Sequence, residues 1–292
     1  MVKKYGDLYQ DTRRALLATE DAQDAGVLAR MLVCHYSGKS QADFLADRDL
    51  YASDKIVLDV ESGLQRLLEG EPMPYILGQW EFYGLPLHVN RNVLIPRDDT
   101  VAVADLAIKK ALFLDKDPRV LDLCCGSGCI GLAIASRVKD AKVTLADISH
   151  EALAVAKENV ALNKLSGRVR CVRANALEPA FPFLGRYDMI VSNPPYITGA
   201  DMKTLEKSVM DYEPHLALYG GEDGLDFYRS IAKNFAPALK PGGYLAFEFG
   251  DDQGDDVCRI LEENGYTIVE RARDYHNRER AVLAQYGRKE EE

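Results

Sequence analysis

What the chain lacks narrows its class before any motif is considered. No stretch of its 292 residues approaches the roughly 18 consecutive apolar positions of a membrane-spanning helix. The opening MVKKYGDLYQ has no apolar core of the kind that drives secretion. The expectation is therefore a cytoplasmic protein with no membrane partner. Positive charge is not in excess: the formal net charge is -10, so no sequence-wide basic field draws in a polyanion, and direct nucleic-acid binding is not expected. The six cysteines, Cys34, Cys124, Cys125, Cys129, Cys171 and Cys258, include no CxxC pair. They read as reduced, packed thiols rather than a disulfide framework. His35, His88, His150, His215 and His276 are scattered with no HExxH, which leaves metal-assisted hydrolysis without support. Cys124, Cys125 and Cys129 have no histidine nearby in sequence, so packing is preferred over a thiolate nucleophile.

What is present points to two domains. At 47% hydrophobic and 28% charged residues, the chain is long enough to bury a substantial core. Residues 1–78 carry helical periodicity: Leu17, Leu28, Met31 and Leu32 share one apolar spacing, and Val57, Val60, Leu64, Leu67 and Leu68 share another. A small helical bundle is expected there. Residues 79–98 change character around Gly84-Leu85-Pro86 and Asn90-Arg91-Asn92, where aromatic and β-branched residues alternate with polar ones, and read as a β-hairpin linker. From residue 99 to 292, short apolar runs alternate with helical patterns, the mark of an α/β fold with a mostly parallel sheet. The runs are 119–124, 142–147, 168–174, 187–192, 243–249, 266–271 and 281–286. Only the last two lack room for a crossover helix between them, so they should pair antiparallel, giving a doubly wound sheet with one reversed strand near its edge. The tail GRKEEE is expected to fray.

Two loops carry the chemistry. VLDLCCGSGCIGLAIA runs from a strand through a glycine turn into a helix, where Gly126 and Gly128 let backbone approach a ligand and the helix start offers free N–H groups. No GK[ST] follows, so a phosphate loop is excluded, and the GxGxxG spacing of a dinucleotide site is missing. Asp147 ends the next run, where an acid commonly accepts from ribose hydroxyls; a plain helix N-cap is the competing reading. The second loop is Asn193-Pro194-Pro195-Tyr196. Each proline holds the residue before it extended, so the strand ends in bare acceptors. The Asn193 side-chain oxygen and the Pro194 carbonyl can together accept both hydrogens of one –NH2 group, while Tyr196 offers a flat face. A delocalised nitrogen is a poor nucleophile and must be aimed. Orientation alone can contribute on the order of 7–11 kcal/mol, so no strong base is required.

The first loop resembles that of the class I S-adenosylmethionine-dependent methyltransferases, acid-x-G-x-G-x-G, with Asp122 as the acid and Cys124 where the first glycine is usual. A positive φ at Cys124 would be strained. The resemblance implies a Rossmann-like fold and S-adenosylmethionine as cofactor. It places Cys124, Cys125, Gly126, Ser127 and Gly128 along the methionine and ribose, Asp147 on the ribose, Asn175 with Ala176 beside the adenine, and Asn193 where cofactor and substrate meet.

Longer stretches, EPMPYILGQWEFYGLPLHVNRNVLIPRDDT, DYEPHLALYGGEDGLDFYRSI and RDYHNRERAV, resemble the PrmC/HemK family of protein-glutamine methyltransferases. That family modifies the Gly-Gly-Gln motif of peptide chain release factors. Asp98 stands where proline is frequent and Val101 where glutamate is frequent. The resemblance implies that Asn193, Pro194, Pro195 and Tyr196 bind the glutamine amide and that residues 1–78 help dock the release factor; a monomer is expected. Glu213-Pro214 and Asp223-Gly224 either cover the substrate or form an ordinary surface loop. Three other readings remain: a glutamine methyltransferase of a ribosomal protein, an amino-methyltransferase of a nucleic-acid base, and a non-catalytic scaffold that binds S-adenosylmethionine.

Overall fold

The computed structural model describes residues 3–114 and 116–287; the tail from residue 288 lies outside them. The chain divides into two units, one running up to Gly78 and including Lys207–Tyr212, the other comprising Gln79–Glu206 and the chain from Glu213 onward. The 207–212 helix therefore belongs with the N-terminal helices, although its sequence lies inside the stretch read as the α/β domain. Its Tyr212 hydroxyl donates to the Glu69 carbonyl at 3.0 Å.

The first unit is built from helices Tyr5–Leu16, Ala25–Ser37, Gln41–Ala46, Asp54–Leu68 and Met73–Leu77. The first buries Tyr5, Leu8, Thr12 and Leu16 rather than Leu17. Thr12 hides this stripe from a hydropathy reading, yet its hydroxyl donates to the Leu8 carbonyl at 2.8 Å and so enters the core satisfied. Leu17 is the C-cap and stays exposed, as does Leu68 at the last helical turn of its own element. Val57, Val60 and Leu67 are buried as expected, with Leu28, Met31 and Leu64 packed part-buried against the same cluster. Caps set the ends: Ser40 forms a capping box with Asp43, and the Ser53 hydroxyl accepts from Ile56 N–H.

The second unit opens with the expected hairpin, β1 (Gln79–Phe82) and β2 (Leu85–His88), paired antiparallel. Tyr83 and Gly84 both have positive φ, matching the twist of a two-residue turn. Seven strands follow: β3 (Arg119–Leu123), β4 (Lys142–Asp147), β5 (Val169–Arg173), β6 (Tyr187–Ser192), β7 (Leu239–Glu248), β8 (Tyr266–Arg273) and β9 (Glu279–Tyr286). They form one sheet in the order β5-β4-β3-β6-β7-β9-β8. All pairings are parallel except those of β9, which runs antiparallel to both neighbours.

Alternate side chains go to opposite faces. Val120, Met189 and Val191 join one buried cluster with helices Val101–Ala111, Cys129–Arg137 and His150–Leu162; Leu121, Leu123 and Ile190 join another with helices Asp226–Asn234 and Gly254–Glu263. Both faces are thus covered, which is why the central strands β3, β4 and β6 read as largely apolar runs, unlike β5 and β8 at the sheet edges. The order reverses between β3 and β6, adjacent strands whose successors depart to opposite sides. Their carboxyl ends form the crevice where ligands bind in such sheets.

Candidate active site

At the end of β3 the chain enters the glycine loop through Cys124, whose φ is 60°. For a residue with a Cβ this left-handed conformation costs about 1–2 kcal/mol, and the loop holds it there: Cys125 N–H donates to the Ala146 carbonyl at 3.0 Å and Gly128 N–H to the Cys125 carbonyl at 2.7 Å. Gly126 and Gly128 also have positive φ. No atom stands within 4 Å of where a Gly126 Cβ would be, so that backbone faces open space. The other side of the loop is clamped by Asn159, fully buried, whose Nδ2 donates to the Ser127 and His88 carbonyls, both at 3.0 Å, while its Oδ1 accepts from His88 N–H at 2.6 Å. One amide thereby ties the loop to β2.

Asp147, at the end of β4, accepts from Gly126 N–H at 2.9 Å with Oδ2 and from Ser149 N–H at 3.0 Å with Oδ1. The N-cap of the following helix is Ser149, whose hydroxyl accepts from Ala152 N–H at 3.0 Å, so Asp147 is not spent on capping. Burial raises its pKa, opposed by the N–H groups of Ser149, Gly126 and Ile148. Asp122, beneath the loop, accepts from Gly131 N–H at 2.8 Å through Oδ2, while its buried Oδ1 has no partner. Burial lifts its pKa to about 7 against the Gly131 hydrogen bond. Burial likewise pushes up the thiols of Cys124, Cys125 and Cys129, the last to about 12, which suits packing rather than attack. Among the described residues no group of three or more His, Cys, Asp or Glu could hold a metal ion.

Asn175 follows β5 and closes a turn: its Oδ1 accepts from Leu177 N–H and its Nδ2 donates to Glu178, both at 3.0 Å. The oxygen expected to face a ligand is thus partly committed to its own loop. Ala176 is buried, its carbonyl accepting from the Ser230 hydroxyl at 2.7 Å.

The tip begins at the end of β6, where the Ser192 hydroxyl donates to the Leu123 carbonyl of β3 at 2.6 Å. This bond locks the tip beside the glycine loop. Asn193 Nδ2 points inward to the Thr100 hydroxyl at 3.4 Å. Pro194 and Pro195 are buried, and the part-buried Tyr196 packs against the cluster containing Tyr228 and Phe247. The Tyr196 carbonyl accepts from Gln253 Nε2 at 3.0 Å. A short parallel bridge, Ile197 to Tyr219, ties the tip to the segment after residue 212. A side chain at Gly220 would meet the Tyr196 Cα at 2.6 Å, and one at Gly224 the Tyr196 carbonyl at 2.3 Å. Only glycine permits that approach.

Glu213 is not part of a surface loop. It is buried, accepting from Ile95 N–H at 3.1 Å and pairing with Arg97. It pins the start of the 213–219 segment to the strap before Thr100. Asp223, by contrast, is exposed and paired with Arg229.

These elements line a pocket of about 190 Å³ that opens to solvent at its mouth. Cys124, Gly126, Asp147, Asn175, Ala176 and Asn193 line it. Asn92 to Leu94 and Pro214 to Ala217 close over it with Pro195 and Phe227. The two loops singled out in the sequence therefore open on one space. Asn159, Thr100, Glu248 and Gln253 escaped notice because each acts on residues distant in the chain.

Residues 7–78 match the PrmC N-terminal domain and residues 104–220 the methyltransferase small domain. The release factor glutamine methyltransferase of Clostridium acetobutylicum is 43% identical over 216 residues, covering 74% of this chain and 75% of its own. That of Bacteroides thetaiotaomicron is 35% identical over 274 residues, covering 93% of this chain and 96% of its own. A methyltransferase from Pyrococcus furiosus, 18% identical, superposes with a TM-score of 0.51, covering 78% of this chain and 100% of that one; that likeness concerns the fold alone. Identity at this level across nine-tenths of the sequence is far more than a shared fold requires, and the chain belongs to the family of release factor glutamine methyltransferases.

Proposed function

We propose that the chain transfers one methyl group from S-adenosylmethionine to the side-chain amide nitrogen of the glutamine in the Gly-Gly-Gln motif of peptide chain release factors. The observation that carries this reading is the setting of Asn193. Its Nδ2 is turned inward to Thr100, which leaves Oδ1 as an acceptor at the pocket that the glycine loop also lines. A primary amide offers two N–H donors, and Oδ1 with the Pro194 carbonyl supplies two acceptors.

The residues of the loop suit the cofactor. Each Asp147 oxygen accepts one backbone N–H and keeps a lone pair for a ribose hydroxyl. The open space over Gly126 admits the ribose edge to the backbone, and Leu177, Leu216 and Phe227 offer an apolar slot for a flat base. Asn175 contributes a remaining lone pair there. When bound, the sulfonium supplies an electrophilic methyl group. Asn193 and the Pro194 carbonyl aim the amide nitrogen at it and stabilise the positive charge that grows on that nitrogen. Pro195 and the part-buried Tyr196 wall the faces of the amide. The tip carries no basic side chain, so the proton departs after transfer.

The net charge of -10 favours a protein substrate over a nucleic acid. The test is transfer of labelled methyl from S-adenosylmethionine to purified release factors, their Gln→Ala variants, the ribosomal large-subunit protein and DNA. Label is expected only on release factors that retain the glutamine. Label on DNA, on the ribosomal protein, or on the Gln→Ala variant would overturn the substrate assignment.

A further inference from the structure

Behind the tip, the last residue of β7 has no part in the reading above. Glu248 is 1% exposed, and its Oε2 is buried with no hydrogen-bond partner. It interrupts the apolar run LAFEFG one place beyond the Ser192–Phe247 pairing, so that it stands beside Asn193 in register, and the polar side chains of Thr100 and Asn193 favour its charged form. A lone carboxylate kept in a core is costly unless something requires it. Asn193 requires it. An asparagine amide can flip by half a turn, exchanging oxygen for NH2 with no change of shape. In one orientation the tip offers an acceptor to the incoming amide; in the other it offers a donor to a donor. The Thr100 hydroxyl cannot choose between them, because a hydroxyl both donates and accepts. An ionised carboxylate only accepts.

We propose that Glu248 is a positioning residue that fixes the flip of Asn193, drawing Nδ2 inward so that Oδ1 alone is presented to the substrate amide. This rests on the transfer reaction proposed above and deepens it. It carries a pH signature. Burial raises the Glu248 pKa to about 7, helped by the Asp99 charge and opposed by Thr100, Arg280 and Asn193. Arg280 is itself shared among Asp99, Asp251 and Asp274. The remaining groups facing the carboxylate, Tyr196, Tyr228 and Cys129, have pKa values raised by burial and stay neutral near pH 7. Below about pH 7 Glu248 takes up a proton, becomes donor as well as acceptor, and no longer dictates the flip. Activity should therefore fall on the acid side.

Glu248→Gln keeps the volume and replaces the acceptor-only group with an ambidextrous one. The expected result is a fall in kcat on the order of 10- to 100-fold, the scale of one lost hydrogen bond to a charged group. Calorimetric affinity for S-adenosylmethionine should stay within about threefold, and the acid limb near pH 7 should disappear. Independently of turnover, the side-chain 15N–1H signals of Asn193, assigned by their loss in Asn193→Ala, should shift between pH 6 and 8 in the native protein and stay fixed in Glu248→Gln. If Glu248→Gln folds poorly, Thr100→Val, which leaves the carboxylate in place, should keep both the Asn193 shift and the acid limb. A Gln variant with native kcat and an intact acid limb, or Asn193 signals that ignore pH, would overturn the inference. Failure of the native protein to methylate any release factor would instead overturn the proposed function, and the Asn193 signals would then decide this point alone.

Discussion

Asp147 offers the sharpest perturbation, because its two oxygens have separate duties that can be counted. Each holds one backbone N–H, from Gly126 and from Ser149, and each retains one lone pair toward the pocket it lines. Asp147→Ala removes the proposed ribose acceptors, and the loss of a hydrogen bond to a charged group amounts to about 1–3 kcal/mol, or roughly 5- to 150-fold in Kd. Asp147→Asn is the finer probe. Its amide nitrogen can satisfy neither Gly126 N–H nor Ser149 N–H, so one of the two loses its partner and one ribose hydroxyl loses its acceptor, placing Asn between native and Ala. The pH dependence has a definite sign. Because burial raises this carboxyl's pKa, it takes up a proton earlier than an ordinary aspartate as pH falls, and affinity should weaken on the acid side in native protein but not in Asp147→Asn. Isothermal titration with S-adenosylmethionine across that pH range reads both effects. An Ala variant that binds within twofold of native would refute the role given to Asp147.

Three further outcomes follow from the same geometry. Asn193→Ala should lower kcat on release factors by about 100-fold or more, as removal of a preorganised polar group at a reacting centre does, while cofactor affinity changes little; steady-state kinetics alongside titration separates the two, and unchanged turnover would remove Asn193 from the site. Glu213→Ala strands Ile95 N–H and leaves Arg97 unpaired, costing about 2 kcal/mol locally; amides around 93–97 and 213–219 should exchange faster with deuterium, and native protection there would contradict the clasp. Asp122 titrates near 7 when folded and near 4 when unfolded. The folded state holds the extra proton between those values, so stability falls as pH rises from about 4 to about 7 and the penalty is complete above that. Asp122→Asn should flatten this slope in thermal melts, and equal slopes for the two proteins would argue against it.

The parts of the fold carried by short-range pattern were legible. β3, β4 and β6 are apolar runs because both sheet faces are covered, whereas the edge strand β5, VRCVR, is largely half-buried or exposed; the β1–β2 turn declares itself through Gly84. What failed was what lies outside hydropathy. Thr12 completes a buried stripe as a polar residue, so the stripe was misplaced onto Leu17. Pro241, Gly242 and Gly243 hid the first residues of β7, which begins at Leu239 rather than near 243. The 207–212 helix lies inside the stretch expected to be the α/β domain, but it groups with the N-terminal helices, and its Tyr212 hydroxyl bonds the Glu69 carbonyl, 143 residues away. At the site, the glycine loop, Asp147 and the tip were visible because backbone geometry demands glycine, acid and proline at those points. Their supports were not: Asn159 reaches His88 across 71 residues and Asn193 reaches Thr100 across 93. One signal was available. A glutamate inside LAFEFG breaks an otherwise apolar strand, and a buried charge of that kind calls for a partner.

The central claim, that an amide nitrogen and a sulfonium methyl meet in line where β3 and β6 end, is tested most directly by a crystal structure with S-adenosylhomocysteine and a Gly-Gly-Gln peptide bound. The account predicts the ribose on Asp147 and the glutamine amide donating to Asn193 Oδ1 and the Pro194 carbonyl. A glutamine seated elsewhere, or Asn193 presenting its nitrogen to the amide, would contradict it.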